Sequence, residues 1–94
     1  MQIQHQEEGG KGVFFVYLNG ENIAELTYSV PSPDKIVIEH TGVDESLEGK
    51  GLGKQLVEAA VEYARSKQIK VIPSCSFAKS VIEQVAEWQY VREW

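Results

Sequence analysis

The chain has 94 residues, of which 43% are hydrophobic and 24% are charged, and its 14 acidic and 9 basic side chains give a formal net charge of −5. A chain of this size can bury one small core, so we expect a single domain over residues 1–94. Because phosphate backbones attract clustered Lys and Arg, this acidic chain is not expected to bind nucleic acid.

Turn signals divide the first half of the chain into strands. Asn19-Gly20 tolerates the positive φ values of a tight turn, so residues 13–18 and 23–30 are predicted to pair as an antiparallel hairpin. Gly9-Gly10 predicts a turn before this hairpin, with a further strand ahead of it. Because residues 13–18 are apolar throughout, we expect both faces of that strand to be covered.

Residues 35–42 are predicted to form a fourth strand after a proline-containing turn at residues 31–34. Its side chains should alternate between two faces. The first face would carry Ile36, Ile38 and His40, and the second Val37, Glu39 and Thr41.

The second half of the chain changes to helical spacing. An amphipathic helix is predicted from about Lys50 to Lys67, followed by a short strand at residues 70–73. Ser76 is expected to cap a second helix. The apolar stripe of that helix would be Phe77, Val81, Val85 and Trp88.

The predicted element order is ββββαβα, an α+β fold in which two helices pack on a mixed, mostly antiparallel sheet. If the fourth and fifth strands are parallel, the helix between them must make a right-handed crossover. Pro73 has no amide hydrogen, so the fifth strand should separate from its neighbour there or lie at an edge.

A glycine-rich loop at residues 48–54 opens directly into the long helix. A helix start offers unpaired amides and about half a positive charge, which favour a phosphate or pyrophosphate, and Lys50 and Lys54 would add charge. The alternative is a simple turn. A P-loop is excluded because Gln55 follows Gly53-Lys54 in place of Ser or Thr.

Residues 48–53 resemble the acyl-CoA pyrophosphate loop of the GNAT acetyltransferase superfamily, whose pattern is Arg/Gln, two residues, Gly, one residue, Gly/Ala. Gly51 and Gly53 match its small positions, whereas Glu48 departs from it. Residues 40–43 and 72–77 are also similar to the YjdJ-type family of small, stand-alone GNAT proteins. The resemblance implies a minimal GNAT-like fold that binds coenzyme A between the fourth and fifth strands, with pantetheine along the fourth strand.

The cofactor contacts that the resemblance implies come from the end of the fourth strand and from the loop. These residues are Thr41, Gly42, Val43, Glu48, Gly49, Lys50, Gly51, Leu52, Gly53 and Lys54.

Two residues, Cys75 and His40, are the main candidates for catalysis. Cys75, at the start of the second helix, is interpreted as a nucleophile or acyl-relay thiol, or alternatively as a small buried hydrophobe. Histidine side chains exchange protons near neutral pH, so His40 could deprotonate an attacking amine or the Cys75 thiol if the carboxyl ends of the fourth and fifth strands meet. The alternative is that His40 is a structural residue. Glu39 is a weaker candidate base.

The leading hypothesis is an acetyl-CoA-dependent N-acetyltransferase. The two helices that usually shape the acceptor pocket of larger GNAT proteins are absent, so the acceptor amine is expected on a peptide or protein. The alternative is a non-catalytic CoA-binding module that acts as a sensor or interaction partner. A third hypothesis is a structural domain that binds no CoA.

The remaining expectations concern location and partners. One cysteine cannot form an internal disulfide, which fits a cytoplasmic protein, and no Cys/His spacing predicts a metal site. A polar start and the lack of about 18 consecutive apolar residues predict no membrane association. We expect a monomer or weak dimer.

Overall fold

The computed structural model describes residues 2–93 and contains a five-stranded sheet with two helices. The predicted α+β fold and element order are confirmed, and short 3-10 turns lie at Glu45–Leu47 and Ala86–Trp88. The strands are β1 (Gln4–Glu8), β2 (Lys11–Leu18), β3 (Glu21–Ser32), β4 (Lys35–Val43) and β5 (Lys70–Pro73), and the helices are α1 (Leu52–Lys67) and α2 (Ser76–Glu83).

The strands follow one another across the sheet in chain order. Consecutive strands are antiparallel from β1 to β4, and β4 and β5 are parallel. The predicted hairpin turn has left-handed backbone at both Asn19 (φ 54°) and Gly20 (φ 81°), as a tight two-residue turn requires. A parallel neighbour needs a crossover connection, and α1 supplies it.

One face of the sheet carries the hydrophobic core, which α1 covers. Leu56, Val57, Ala60, Val61 and Ala64 of this helix are fully buried, as helical spacing predicts. They belong to the same core as the inward side chains of the central strands, Phe14, Val16, Ala24, Leu26, Tyr28, Ile36 and Ile38. We call this side of the sheet the helix face and the opposite side the outer face.

The prediction that β2 is covered on both faces is only partly right. Phe14, Phe15 and Val16 are buried, but Tyr17 is 55% exposed and Leu18 is 41% exposed. Phe15 and Tyr17 share the outer face, where their rings contact edge to face with centroids 5.2 Å apart. Tyr17 lies beyond the part of β2 that β1 flanks, because pairing with β1 ends at Phe15.

A β-bulge in β4 overturns the predicted alternation of that strand. Tyr28 of β3 pairs with Ile38, but the preceding Thr27 pairs with His40, so Glu39 is an extra residue on β4. Beyond the bulge the faces exchange. Thr41 lies opposite the core residue Leu26, on the helix face, and His40 lies on the outer face.

The predicted boundaries and stripe of the second helix also need correction. Cys75, rather than Ser76, is the N-cap residue of α2, and the helix ends at Glu83 because Val85 is extended (φ −114°, ψ 107°). Trp88 therefore reaches the core from a separate 3-10 turn. The buried residues of α2 are Ala78, Val81 and Ile82, whereas Phe77 is 44% exposed.

A polar cluster joins the edge strand β1 to α1. The Tyr28 ring lies directly over Gly12, where a Cβ atom would come within 2.2 Å of it. This close approach lets the Tyr28 hydroxyl cross β2 and donate to Glu7 Oε1 of β1 at 2.5 Å. Tyr63 of α1 donates to the same oxygen at 2.9 Å. One carboxylate thus satisfies hydroxyls from the sheet and from the helix.

We predict that this carboxylate makes stability depend on pH. The hydrogen bonds from Tyr28 and then Tyr63 lower the pKa of Glu7 below its usual 4.5. Its stabilising contribution is therefore complete above about pH 4.5 and is lost as the pH falls through the lower, folded-state pKa. Urea unfolding should show Glu7→Gln less stable than wild type at pH 7, with the difference shrinking below pH 4.

Glu8→Gln provides the matched control, because the Glu8 side chain, next to Glu7 in the sequence, forms no hydrogen bond within residues 2–93. Equal losses of stability in the two variants would contradict a specific role for Glu7.

Candidate functional site

The parallel pair β4 and β5 separates part-way along the sheet. Their pairing ends at Ile38 and Pro73. The amides of Ser74 and Cys75 then both donate to the Ile38 carbonyl, at 3.0 and 3.2 Å, as the chain turns away into α2. β4 continues to Val43, and no described strand pairs with the edge that β5 has left. The separation expected at Pro73 is confirmed.

A cleft of about 560 Å³ lies on the helix face beside this exposed edge. Its walls are the second half of β4, the loop before α1 and one side of α2. Of the ten residues predicted to contact the cofactor, the following line it: Thr41, Val43, Glu48, Gly49, Gly51, Leu52, Gly53 and Lys54. Gly42 does not, since it lies opposite Glu25 on the outer face, and Lys50 does not line it either.

The start of α1 presents backbone amides without partners. Gly51 is the N-cap residue in the left-handed conformation (φ 79°) and has no side chain to cap the helix. Gly49 is also left-handed (φ 83°). The Glu48 amide donates to Glu45 and that of Gln55 to Gly51, but within residues 2–93 no hydrogen bond is made by the amides of residues 49–54. This loop is open to an anion.

Gly53 has a second role that its place in the loop pattern does not reveal. A Cβ atom at Gly53 would lie 2.8 Å from the ring of Phe77, so the start of α1 packs directly against α2. The exposed Phe77 ring forms part of the cleft wall. The absence of a side chain at Gly53 therefore shapes the cleft as well as exposing the loop amides.

Cys75 lies beside the opening between β4 and β5, where its amide donates to the Ile38 carbonyl. It contacts the cleft residue Thr41 but does not itself line the cleft. Its Sγ atom is 3.7 Å from Thr41 Oγ1, which the β4 bulge has turned to the helix face. Burial alone would raise the pKa of the Cys75 thiol. The amides of Ala78 and Phe77 and the Thr41 hydroxyl outweigh burial, so the pKa lies below its usual 9.0. The thiolate, which is the nucleophilic form, therefore forms at lower pH than in an unperturbed cysteine.

The structure does not bring His40 and Cys75 together. Cys75 contacts Thr41 on the helix face, whereas His40 pairs with Thr27 and lies exposed on the outer face. No hydrogen bond joins the two side chains in the described part of the chain. The bulge at Glu39 is the physical reason, because it reverses the side to which every later side chain of β4 points.

Over residues 2–93, no three His, Cys, Asp or Glu side chains are grouped so that they could hold a metal ion. In that same range, no helix combines the length and apolar character needed to cross a bilayer.

Comparison with known proteins shows that this architecture is one that acyltransferases have. Residues 13–91 match the family model of the GCN5-related N-acetyltransferases. The chain therefore belongs to the GCN5-related N-acetyltransferase, or GNAT, family. The narrower resemblance to YjdJ-type proteins remains a prediction from sequence.

Individual relatives agree with this assignment. A GCN5-like protein from Staphylococcus aureus, solved in solution, is 38% identical, with a TM-score of 0.70 over 96% of this chain and 87% of its own. Protein NATD1 from Xenopus tropicalis is 24% identical over 97% of this chain and 83% of its own length.

A GNAT family acetyltransferase from Elizabethkingia anophelis, solved with acetyl-CoA bound, shares the fold with a TM-score of 0.63 at 19% identity. The match covers 80% of this chain and 52% of the larger protein.

We predict that Cys75 reacts with iodoacetamide at lower pH than an unperturbed cysteine, because its pKa is lowered. Thr41→Val keeps the side-chain shape but removes the hydroxyl that favours the thiolate, so it should shift the pH midpoint of alkylation upward. Thr27→Val, on the opposite face of the neighbouring strand, is the control. An unchanged midpoint in Thr41→Val would contradict the assigned cause.

Proposed function

We propose that this protein is an acetyl-CoA-dependent N-acetyltransferase whose acceptor is an amine on a peptide or protein. The observation that carries the proposal is the run of amides at residues 49–54, which make no hydrogen bond within residues 2–93 and belong to a loop that, Lys50 apart, lines the cleft beside β4. Family membership supports acetyl transfer, and the bound acetyl-CoA in the Elizabethkingia anophelis relative supports the same donor.

The parts of the cleft suit different parts of this donor. The amides of residues 49–54 would hold the pyrophosphate, with Lys54 adding positive charge at the cleft wall. The exposed edge of β4 beyond Ile38 offers backbone hydrogen bonds to pantetheine near Thr41 and Val43. The donor would supply an activated acetyl thioester near Thr41, the cleft residue that Cys75 contacts.

One route uses Cys75 as an acyl carrier. The Cys75 thiolate attacks the thioester carbonyl carbon, a new C–S bond forms, and CoA leaves as a thiol with the proton that Cys75 has given up. The acceptor amine then attacks acetyl-Cys75 to form the amide, and its proton returns to the sulfur. The lowered pKa of Cys75 and its contact with Thr41 support this route.

The other route is direct transfer from donor to amine. Amides on the exposed edge of β4 polarise the thioester carbonyl, and His40 or water takes the proton of the attacking amine. His40 lies on the outer face, so it suits an amine that approaches from that side of the opening. The CoA thiolate leaves as the amide forms.

Glu48 favours a second candidate, a CoA-binding module without turnover. Its carboxylate lines the cleft where the superfamily pattern has Arg or Gln, so it repels an anionic ligand. In an exposed loop this repulsion costs about 1 kcal/mol. A module that senses CoA could tolerate the resulting weak binding, and either candidate suits the reducing cytosol.

We predict that acetyl-CoA perturbs the amide resonances of residues 49–54 and that Glu48→Gln tightens its binding about fivefold, because one repulsive charge is removed. Titration calorimetry measures the change. Glu58→Gln, on the exposed side of α1, makes the same charge change away from the cleft and should leave the affinity unaltered. Failure of acetyl-CoA to shift the loop amides would overturn the proposal.

The two routes and the module differ in the products that they form. Intact-mass measurement after incubation with acetyl-CoA should show an acetyl adduct that is absent from Cys75→Ala if the relay operates. Full amine-dependent thiol release by Cys75→Ala would establish direct transfer. CoA binding without thiol release, over a panel of amines and peptides, would identify the module.

A further inference from the structure

The outer face of the sheet carries an open groove that the mechanism above does not use. Residues of β1 to β4 line it over about 770 Å³, and no described helix covers it. The pairing registers place Gln6, Val13 and Thr27 in one row across β1, β2 and β3. Val13 and Thr27 are half-buried and form the floor.

Carboxylates bound this groove at both ends. Glu8 of β1 lies at one end and Glu39, the extra residue of the β4 bulge, at the other. Both are exposed, and neither forms an ion pair with any residue from 2 to 93. Among the described residues that line the groove, Lys11, which lies opposite Glu8 in the β1–β2 register, is the one basic residue. The groove therefore combines a partly apolar floor with acidic ends.

The Glu39 end of the groove adjoins the opening between β4 and β5. Glu39 directly follows Ile38, whose carbonyl accepts the amides of Ser74 and Cys75. His40, the next residue, lies on the same outer face. A ligand in the groove would thus extend toward the place where the proposed acetyl donor ends.

We propose that this groove binds the acceptor as an extended, cationic peptide, whose Lys or Arg side chains lie against Glu8 and Glu39 while its reactive amine reaches the opening beside His40. The identification of this peptide as acceptor rests on the proposed acetyltransferase function. Charge complementarity supports the cationic peptide over a second copy of the chain, because the same groove of a second copy would bring two more exposed carboxylates, Glu8 and Glu39, and only one lysine, Lys11.

The test measures peptide binding without acetyl-CoA, so it does not depend on turnover. A capped hexapeptide of alternating Lys and Ala is titrated into the labelled protein at low salt, with an Arg version and a Gln version in parallel. Amide shifts should concentrate at Val13, Thr27 and Glu39 for the two cationic peptides. The neutral Gln peptide should bind at least fivefold more weakly, and added salt should reduce the difference.

Paired variants separate local charge from net charge. Glu8→Gln with Glu39→Gln should weaken binding of the Lys peptide about fivefold, as expected for two exposed charge contacts. Glu58→Gln with Glu87→Gln makes the same change in net charge on exposed sites elsewhere and should have no effect. Equal weakening by both pairs, or shifts outside the groove, would overturn the proposal.

Two other outcomes are equally decisive. Groove shifts that depend on protein concentration without peptide would assign the face to a second copy and overturn the proposal. The peptide could also bind in the groove while acetyl-CoA leaves the loop amides unchanged. That result would overturn the proposed acetyltransferase function, and with it the identification of the peptide as acceptor, but the groove would still be a site for cationic peptides.

Discussion

The separation of β5 from β4 is the constraint on which the candidate site depends. Pro73 has no amide hydrogen to extend the ladder, and the Ile38 carbonyl instead accepts two successive amides from the turn into α2. The parallel pairing of β4 and β5 therefore ends at Pro73, while β4 continues to Val43. The same short connection leaves room for the cleft, frees an edge of β4 and holds Cys75 against the cleft residue Thr41.

The bulge at Glu39 lies on β4 directly after Ile38, where the pairing with β5 ends. Without the extra residue, Thr41 would point away from the cleft and His40 would point into it. With it, Thr41 contacts the Cys75 thiol on one face, while His40 and Glu39 remain on the other. The two faces of one strand can therefore serve two different ligands at a shared opening.

Local patterns in the sequence predicted much of this architecture. Asn19-Gly20 specifies a turn through backbone conformation, and the apolar spacing of α1 specifies a buried side, so both were predictable from a few neighbouring residues. The unpaired loop followed from small residues ahead of that helix. Each of these features depends on contacts or torsions within one stretch of chain.

Features that depend on distant residues were not predictable in this way. The bulge leaves the alternating sequence of β4 intact and is visible only in its register with β3. The contact between Gly53 and Phe77 joins two helices, and His5 of β1 stacks on Phe14 of β2 with ring centroids 4.1 Å apart. Glu7 likewise meets Tyr28 and Tyr63 only after folding.

The two borders of the sheet are protected against uncontrolled strand addition in different ways. Beyond β5, the Val71 amide donates to the Val91 carbonyl and the Val71 carbonyl accepts from the Glu93 amide. These two backbone groups are therefore not available to pair with a strand of another molecule. At the opposite border, β1 is a short strand that ends in two adjacent glutamates. Addition of a strand from another copy at that border would bring the glutamates of the two copies close together, and their repulsion disfavours aggregation through β1.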